Sequence, residues 1–220
     1  MSVIITSQET IRMDQNKVTL LEAAGSDLSH ARAAWASTQK EITNQQMGRI
    51  PQLLKFLAEN QHGTPFEHSM ISFHVQGDIA SHIHCLKHRV GVSINTESAR
   101  YKELKEDLCY LPEDWPEDAK ERTMKMLKEL HEQYHELLLY MDDQGIPRSR
   151  AKEMSRYVLP YAHQLRWVMT FNFRSFIHFQ GLRNSKHAQK EIKEISQQML
   201  KLVQDTGRFE HSLAAFGVTQ

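Results

Sequence analysis

Apolar and polar positions alternate along the chain with two periods. Lys17 to Ala24 (KVTLLEAA) is apolar enough for a strand, and Gly25-Ser26-Asp27 breaks it. Asp27 is placed to cap a helix running through DLSHARAAWAS. Ile50, Leu53, Leu54 and Leu57 fall at i, i+3, i+4 and i+7 and predict a helix that ends near Asn60. The turn-rich stretch QHGTPFEHSM follows. Ile71, Phe73 and Val75 then alternate with Ser72, His74 and Gln76, the period of a strand with one buried face. Asp78 is positioned to cap a helix carrying Ile79, Ile83 and Leu86 on one side. Residues 90–116 read as irregular. Leu127, Leu130, Tyr134, Leu137 and Met141, spaced by 3 and 4, predict a long helix with a packing seam that Gly145 and Pro147 end. Ala151, Met154 and Val158 suggest another helix, stopped by Pro160; a further one is expected over about 161–178, and Ala188, Ile192, Ile195, Met199 and Val203 mark another. The reading is α+β: mostly helix with a few strands in the first half, a small and mostly antiparallel sheet flanked by long helices. No linker splits residues 1–220, so a single domain is expected.

Composition narrows the function more than the fold. Hydrophobic residues make up 40% and charged residues 25% of the 220, as in ordinary globular chains. Lys plus Arg equals Asp plus Glu at 27 each, which argues against a protein that holds nucleic acid by bulk charge. Cys85 and Cys109 form no CxxC and no disulfide framework, the usage a reducing compartment tolerates. The start of the chain has no basic region followed by a long apolar run, and the longest apolar run, Leu137 to Met141, falls far short of the roughly 20 residues a membrane span needs. A cytoplasmic protein without membrane or nucleic-acid partners is expected. The 13 histidines are many for this length and call for a reason.

Most charged positions read as solvated helix surface, including Glu191-Ile-Lys-Glu194 opposite an apolar stripe, and Glu121, Lys125, Lys128 and Glu129. Three stretches carry more. His62-Gly-Thr64-Pro-Phe-Glu67-His68 puts two His, a Thr and a Glu on a turn before a strand. Lys87-His88-Arg89 and Ser98-Ala-Arg100-Tyr101 flank a loop holding Asn95 and Glu97, a density of donors suited to phosphate. Asn172-Phe-Arg174-Ser-Phe-Ile-His178-Phe-Gln-Gly-Leu-Arg183 interleaves cations with aromatics; on a helix Arg174 and His178 share a face, which suggests a buried cationic edge paired with an anion. A metal site is not expected: His62, His68, His74, His82, His84 and His88 form no HExxH and no zinc-finger spacing. A glycine phosphate cradle and a Gly-x-Ser-x-Gly elbow are both absent from the sequence.

Taken together these stretches resemble the flavin-dependent thymidylate synthases. The resemblance rests on KHRVGVSINTESARY (Lys87 to Tyr101), HGTPFEH, NFRSFIHFQGLRNSKHAQKEI, Arg156-Tyr-Val-Leu-Pro160 and the small-residue segment SDLSHARAAWAS, in order from about residue 18 to 195. It implies a homotetramer with shared active sites. FAD would carry a one-carbon unit from 5,10-methylenetetrahydrofolate to dUMP, with NADPH as reductant. It implies FAD contacts at Thr64, Lys87, His88, Arg89, Asn172, Arg174 and His178. Contacts to dUMP are implied at His84, Lys87, Glu97, Ser98, Arg100, Arg156 and Arg183. Arg183 would also be catalytic, polarising the pyrimidine so that a ring carbon becomes nucleophilic. The family's first motif residue is Arg where this chain has Lys87, and His84 stands where many members have Gln. The longer loop leaves Thr96 and Glu97 as alternatives for one nucleotide contact. Two rival readings keep the scaffold: modification of another pyrimidine nucleotide, hydroxymethylation for example, and a non-enzymatic nucleotide- or RNA-binding relative, which should have lost these polar residues first.

Overall fold

In a computed structural model, which describes residues 11–38 and 43–218, the elements run β1 (Arg12–Met13), β2 (Lys17–Ala24), α1 (Asp27–Ala36), α2 (Asn44–Met47), α3 (Ile50–Glu59), β3 (Met70–Asp78), α4 (Ile79–Leu86), β4 (Val92–Thr96), β5 (Leu108–Cys109), α5 (Glu117–Asp143), α6 (Arg148–Ser155), β6 (Gln164–Phe171), α7 (Phe173–Arg183), α8 (Lys190–Asp205) and α9 (Glu210–Ala215). Short 3-10 turns cover Thr64–Glu67 and Arg156–Val158. The class is α+β, with an antiparallel four-stranded sheet and long helices. The residues divide into two compact units: Met1–Gln15, Gly77–His82 and Thr96–Leu165 in the first, and Asn16–Gln76, Ile83–Asn95 and Arg166–Gln220 in the second.

The second unit is built on the sheet, in the order β2-β3-β6-β4. β2 and β3 pair antiparallel from Lys17↔Gln76 to Ala24↔Met70, with a bulge between Leu20 and Glu22. Ile71, Phe73 and Val75 are buried, as their alternation predicts. The helix expected over 161–178 is instead β6 followed by α7. Trp167, Met169 and Phe171 are buried two residues apart, a strand period hidden in the sequence by Val168 and by the phenylalanines that follow. Asn172 then starts α7 by accepting the Ser175 N–H at 2.8 Å. Phe66, Phe73, Phe171, Phe173, Phe176, Phe179 and Phe209 fill the core. β4 falls in the stretch read as irregular; it is short and no residue on it is fully buried, so its alternation carries little hydrophobic signal.

Two polar assignments change. Ser26, not Asp27, occupies the cap position of α1. Asp27 instead accepts from His211 N and Ser212 N at 2.8 Å each and from the Ser212 hydroxyl at 2.5 Å, capping α9. Glu191, expected on a solvated face, is buried in the first turn of α8, beside the stripe that Ile192 begins. A carboxylate there meets the positive end of the helix.

In the first unit α5 and α6 pack around Ala99, Leu104, Tyr134, Leu138 and Ala151. The buried line on α5 runs Leu127, His131, Tyr134 and Leu138, so a histidine sits within the seam. The Tyr134 hydroxyl accepts the Leu104 N–H at 3.2 Å. Among the described residues no helix is long and apolar enough to cross a membrane.

Candidate functional site

In the second unit the chain leaves α4 through Lys87-His88-Arg89 and turns at Gly91, whose φ is +65°. A Cβ at Gly91 would collide with the side chains of Ser175 and Asn172. That close approach lets the Ser175 hydroxyl donate to Val90 O at 2.9 Å and Asn172 N donate to Gly91 O at 3.2 Å. The Lys-His-Arg loop is thereby fixed to the first turn of α7. The last residue of α7, Arg183, reaches the same segment: Nε donates to His88 Nε2 at 3.0 Å, Nη1 to His84 Nδ1 at 3.2 Å and Nη2 to His84 O at 3.2 Å.

Arginine has no acceptor, so both rings must offer a lone pair to it. His88 therefore carries its proton on Nδ1 and His84 on Nε2. His88 is buried edge-on to Phe179, 4.8 Å between ring centres, with His178 6.0 Å away. Burial, then the charge of Arg183, then His178, hold its pKa down at about 4. A ring kept neutral in this way serves as an acceptor for Arg183 and is a poor acid at neutral pH.

The turn at residues 62–68 meets the start of α7. Glu67 accepts from Arg174 Nη1 at 2.7 Å, and the Ser69 hydroxyl accepts the Phe173 N–H at 3.3 Å. Gly63 lies so close to the Arg174 guanidinium that a Cβ would stand 2.6 Å from Nε. The cationic edge expected to be buried is not: Arg174 and His178 are exposed, and the intervening Phe173, Phe176 and Phe179 take the buried side. Thr64 is exposed and lines a groove of about 290 Å³ with Ala33, Ala34, Ser37, His62 and His68. Lys87 and Arg89 are exposed.

A second constellation lies within the first unit. Glu97, Ser98 and Arg156 line a cavity of about 360 Å³ with Ile79, His82, Thr96 and Ala99. His82 Nε2 bonds the Thr96 hydroxyl at 2.8 Å, and burial pushes the ring's pKa below its usual value. Glu97 takes an ion pair from Lys102 at 3.3 Å. Thr96 and Glu97 both face this cavity, so the two alternatives for the nucleotide contact are neighbours in it. Arg100 is turned to Glu153, with Nε donating to Oε1 at 2.8 Å, and does not line the cavity. The sequence reading missed His82 as a site residue, because the HxH spacing drew it into the metal question alone.

The structure thus brings His84, His88 and Arg183 together, Arg174 against the 62–68 turn, and Glu97, Ser98 and Arg156 around one cavity. The donor set suits an anionic dinucleotide such as a flavin adenine dinucleotide. Lys87 and Arg89 supply exposed charge on the loop fixed to the helix-capping Asn172, while the Arg174 charge is paired with Glu67.

Residues 19–206 match the family described as thymidylate synthase complementing protein. A flavin-dependent thymidylate synthase of Pseudothermotoga lettingae is 30% identical over 191 residues, covering 84% of this chain and 83% of the relative. Another, of Thermotoga neapolitana, is 32% identical over 201 residues, covering 88% of each. The crystal structure of the UMP/dUMP methylase PolB from Streptomyces cacaoi, bound with 5-Br UMP, superposes with a TM-score of 0.77. It is 26% identical and is matched over 96% of this chain and 99% of its own. The order of the motifs and a match across most of the length converge: this chain belongs to the thymidylate synthase complementing protein family, that of the flavin-dependent thymidylate synthases.

Proposed function

We propose that the chain is a flavin-dependent thymidylate synthase that reductively methylates dUMP to dTMP in the cytoplasm. It would use 5,10-methylenetetrahydrofolate as one-carbon donor and NADPH as reductant. The observation that carries this reading is the guanidinium of Arg183, held by three acceptors from the Lys-His-Arg segment and its preceding helix. FAD, when bound, supplies the redox and one-carbon transfer chemistry that no side chain can. Thr64, Lys87, Arg89, Asn172, Arg174 and His178 bind it, with Lys87 acting as a point charge where Arg would make a planar contact. His88 takes the positioning role instead, its one acceptor nitrogen committed to Arg183.

Glu97, Ser98 and Arg156 hold the nucleotide, with Thr96 and His82 beside them. Arg183 stabilises the negative charge that develops on the pyrimidine as its ring carbon becomes nucleophilic, the electrostatic role a preorganised donor fills best. His84 and Lys87 contribute further nucleotide contacts, and Arg100 joins them on leaving Glu153. Ser98 acts by binding: its hydroxyl accepts the Arg100 N–H at 3.2 Å, and Nε2 of His82, which lines the same cavity, is taken by Thr96. A serine nucleophile needs a base that this arrangement does not provide. We assign the protein to homotetramers, in which residues of different subunits complete each site.

A second reading has its own support. The PolB neighbour is a methylase of both UMP and dUMP, so the ribonucleotide is a candidate substrate here. The test is to purify the chain, record its visible spectrum and identify products by mass spectrometry after incubation with dUMP or UMP, methylenetetrahydrofolate and NADPH. A flavin spectrum with dTMP formed from dUMP is expected. Preferred conversion of UMP would replace the first reading with the second, and colourless protein without product would overturn both.

A further inference from the structure

Within the first unit, three side chains outside the proposed nucleotide and flavin sites converge in the interior. Cys109 on β5, His131 on α5 and His163 just before β6 are 0%, 1% and 2% exposed. Their ligand-type atoms all lie within 4.8 Å of one another. Cys109 Sγ is 3.7 Å from His131 Nε2, and His131 Nε2 is 3.0 Å from His163 Nδ1. We propose that Cys109, His131 and His163 form a binding site for one zinc ion.

The spacing fits. Zinc sits about 2.3 Å from a thiolate sulfur and about 2.0–2.1 Å from an imidazole nitrogen, so tetrahedral angles place sulfur and nitrogen about 3.6 Å apart and two nitrogens about 3.3 Å apart. Two of the three separations differ from these by a few tenths of an ångström, and the third, between Cys109 Sγ and the His163 ring, lies within 4.8 Å.

Proton placement fits at His131, whereas at His163 the same coordination leaves the Nε2 proton buried without a partner. His131 Nδ1 lies 2.7 Å from Leu127 O, which can only accept, so the ring proton is on Nδ1 and the Nε2 lone pair faces Cys109 and His163. A ring nitrogen donating to a backbone carbonyl while the other faces the ion is the usual support of a histidine ligand. Without an ion, the thiol proton and any Nδ1 proton of His163 compete for that single lone pair. The ion replaces this conflict with three bonds. Binding takes up one Zn²⁺, ionises the Cys109 thiol and releases one proton to solvent.

The ligands also come from elements that the backbone has already joined. Cys109 and His163 form an antiparallel bridge, and Tyr110 N donates to Ala162 O at 2.8 Å. His131 enters from α5, so the ion fastens that helix to the bridged pair. Asp107, buried two residues before Cys109, has both carboxylate oxygens 3.0 Å from His135 Nε2 and is not counted among the ligands. Three protein ligands are one fewer than a closed structural zinc site supplies, so the fourth position of the tetrahedron is left to a ligand from outside this trio. None of the three residues is among those proposed for flavin or nucleotide, and the test does not depend on that proposal.

The experiment measures metal content and thiol access. Wild-type protein, Cys109→Ser and His131→Gln are stripped with chelator, re-equilibrated with zinc chloride, desalted and assayed by elemental mass spectrometry. Circular dichroism checks that each is folded. Expected is about one zinc per wild-type chain, falling close to zero in both variants. Cobalt in place of zinc should give a thiolate-to-metal charge-transfer band in the wild type alone. Zinc should also raise the wild-type melting temperature and slow the modification of Cys109. These two readouts need no variant, so misfolding of the variants leaves the proposal testable. Wild-type protein that retains no zinc after desalting, with melting and thiol reactivity unchanged by zinc, would overturn it.

Discussion

Arg183 shows how a single residue can be prepared for electrostatic work. Its three donors are met by a carbonyl and two imidazole nitrogens, all neutral, so the guanidinium keeps its full positive charge. A surface arginine paired with a carboxylate, as Arg100 is with Glu153, would have spent that charge. Arg183→Ala is expected to retain flavin and fold but to lose about 100- to 1,000-fold in dUMP turnover, the usual cost of deleting one such donor. Arg183→Lys keeps a charge without the fork and should recover part of it. Steady-state rates at matched flavin content decide; near-normal turnover in the alanine protein would reduce Arg183 to a structural role. Ser98→Ala should weaken turnover yet leave it measurable, and complete loss with nucleotide binding intact would restore a nucleophile. The residue types of this site were legible in the sequence, because Lys, His and Arg clustered beside a loop have few other uses. The bonds of Arg183 to His84 and His88 were not, since they join positions 99 and 95 residues apart. The same limit hid Cys109, His131 and His163, which are 22 and 32 residues apart along the chain.

At the scale of elements, the sequence announced what a single period could carry. β3, α3, α5 and α8 stand where alternation or helical spacing put them, and β2 where an apolar run did. β6 was misread because its buried Trp167, Met169 and Phe171 run into the phenylalanines of α7, so two periods overlap within a few residues. The boundary is set by a polar residue, Asn172, through its cap. A comparable long-range cap fixes α9, which is too short to be stable alone. Asp27 holds its first turn from α1 and also ends a directed chain of hydrogen bonds. The Ser69 hydroxyl donates to His30 Nε2 at 3.0 Å, His30 Nδ1 donates to Ser212 Oγ at 2.9 Å, and Ser212 donates to Asp27. Asp27→Ala leaves two backbone N–H groups and a hydroxyl without their acceptor. The expected loss of stability is about 2–3 kcal/mol, read from denaturant midpoints at pH 7.5. A loss below about 0.5 kcal/mol, the range of ordinary surface changes, would show that α9 is held by packing alone.

For the whole molecule, five of the 13 histidines, His30, His82, His88, His131 and His163, are buried, and there the chain uses imidazole as a polar group inside apolar surroundings. His30 lies among Phe66, Phe173 and Phe209, and its pKa is held down at about 4, chiefly by burial, with Asp27 opposing and His68 adding slightly. His88 is shifted the same way, so acid acts on the fold and on the Arg183 contact in the same direction. In the unfolded chain each ring titrates near its ordinary value of 6.5. Below that pH the unfolded state binds the proton first, so stability is complete above about 6.5 and is lost as pH falls toward 4. For His30 the loss between pH 7 and pH 5.5 comes to about 1 kcal/mol. Protonation at Nε2 would also oppose the Ser69 donor. Urea unfolding at pH 7.5, 6.5, 5.5 and 5.0 should show wild-type stability falling over this window. His30→Gln should be less stable at every pH but should fall less steeply, because the group that titrates is gone. Equal slopes in the two proteins would place the acid sensitivity elsewhere, and a wild-type stability that rises on acidification would contradict a neutral buried His30.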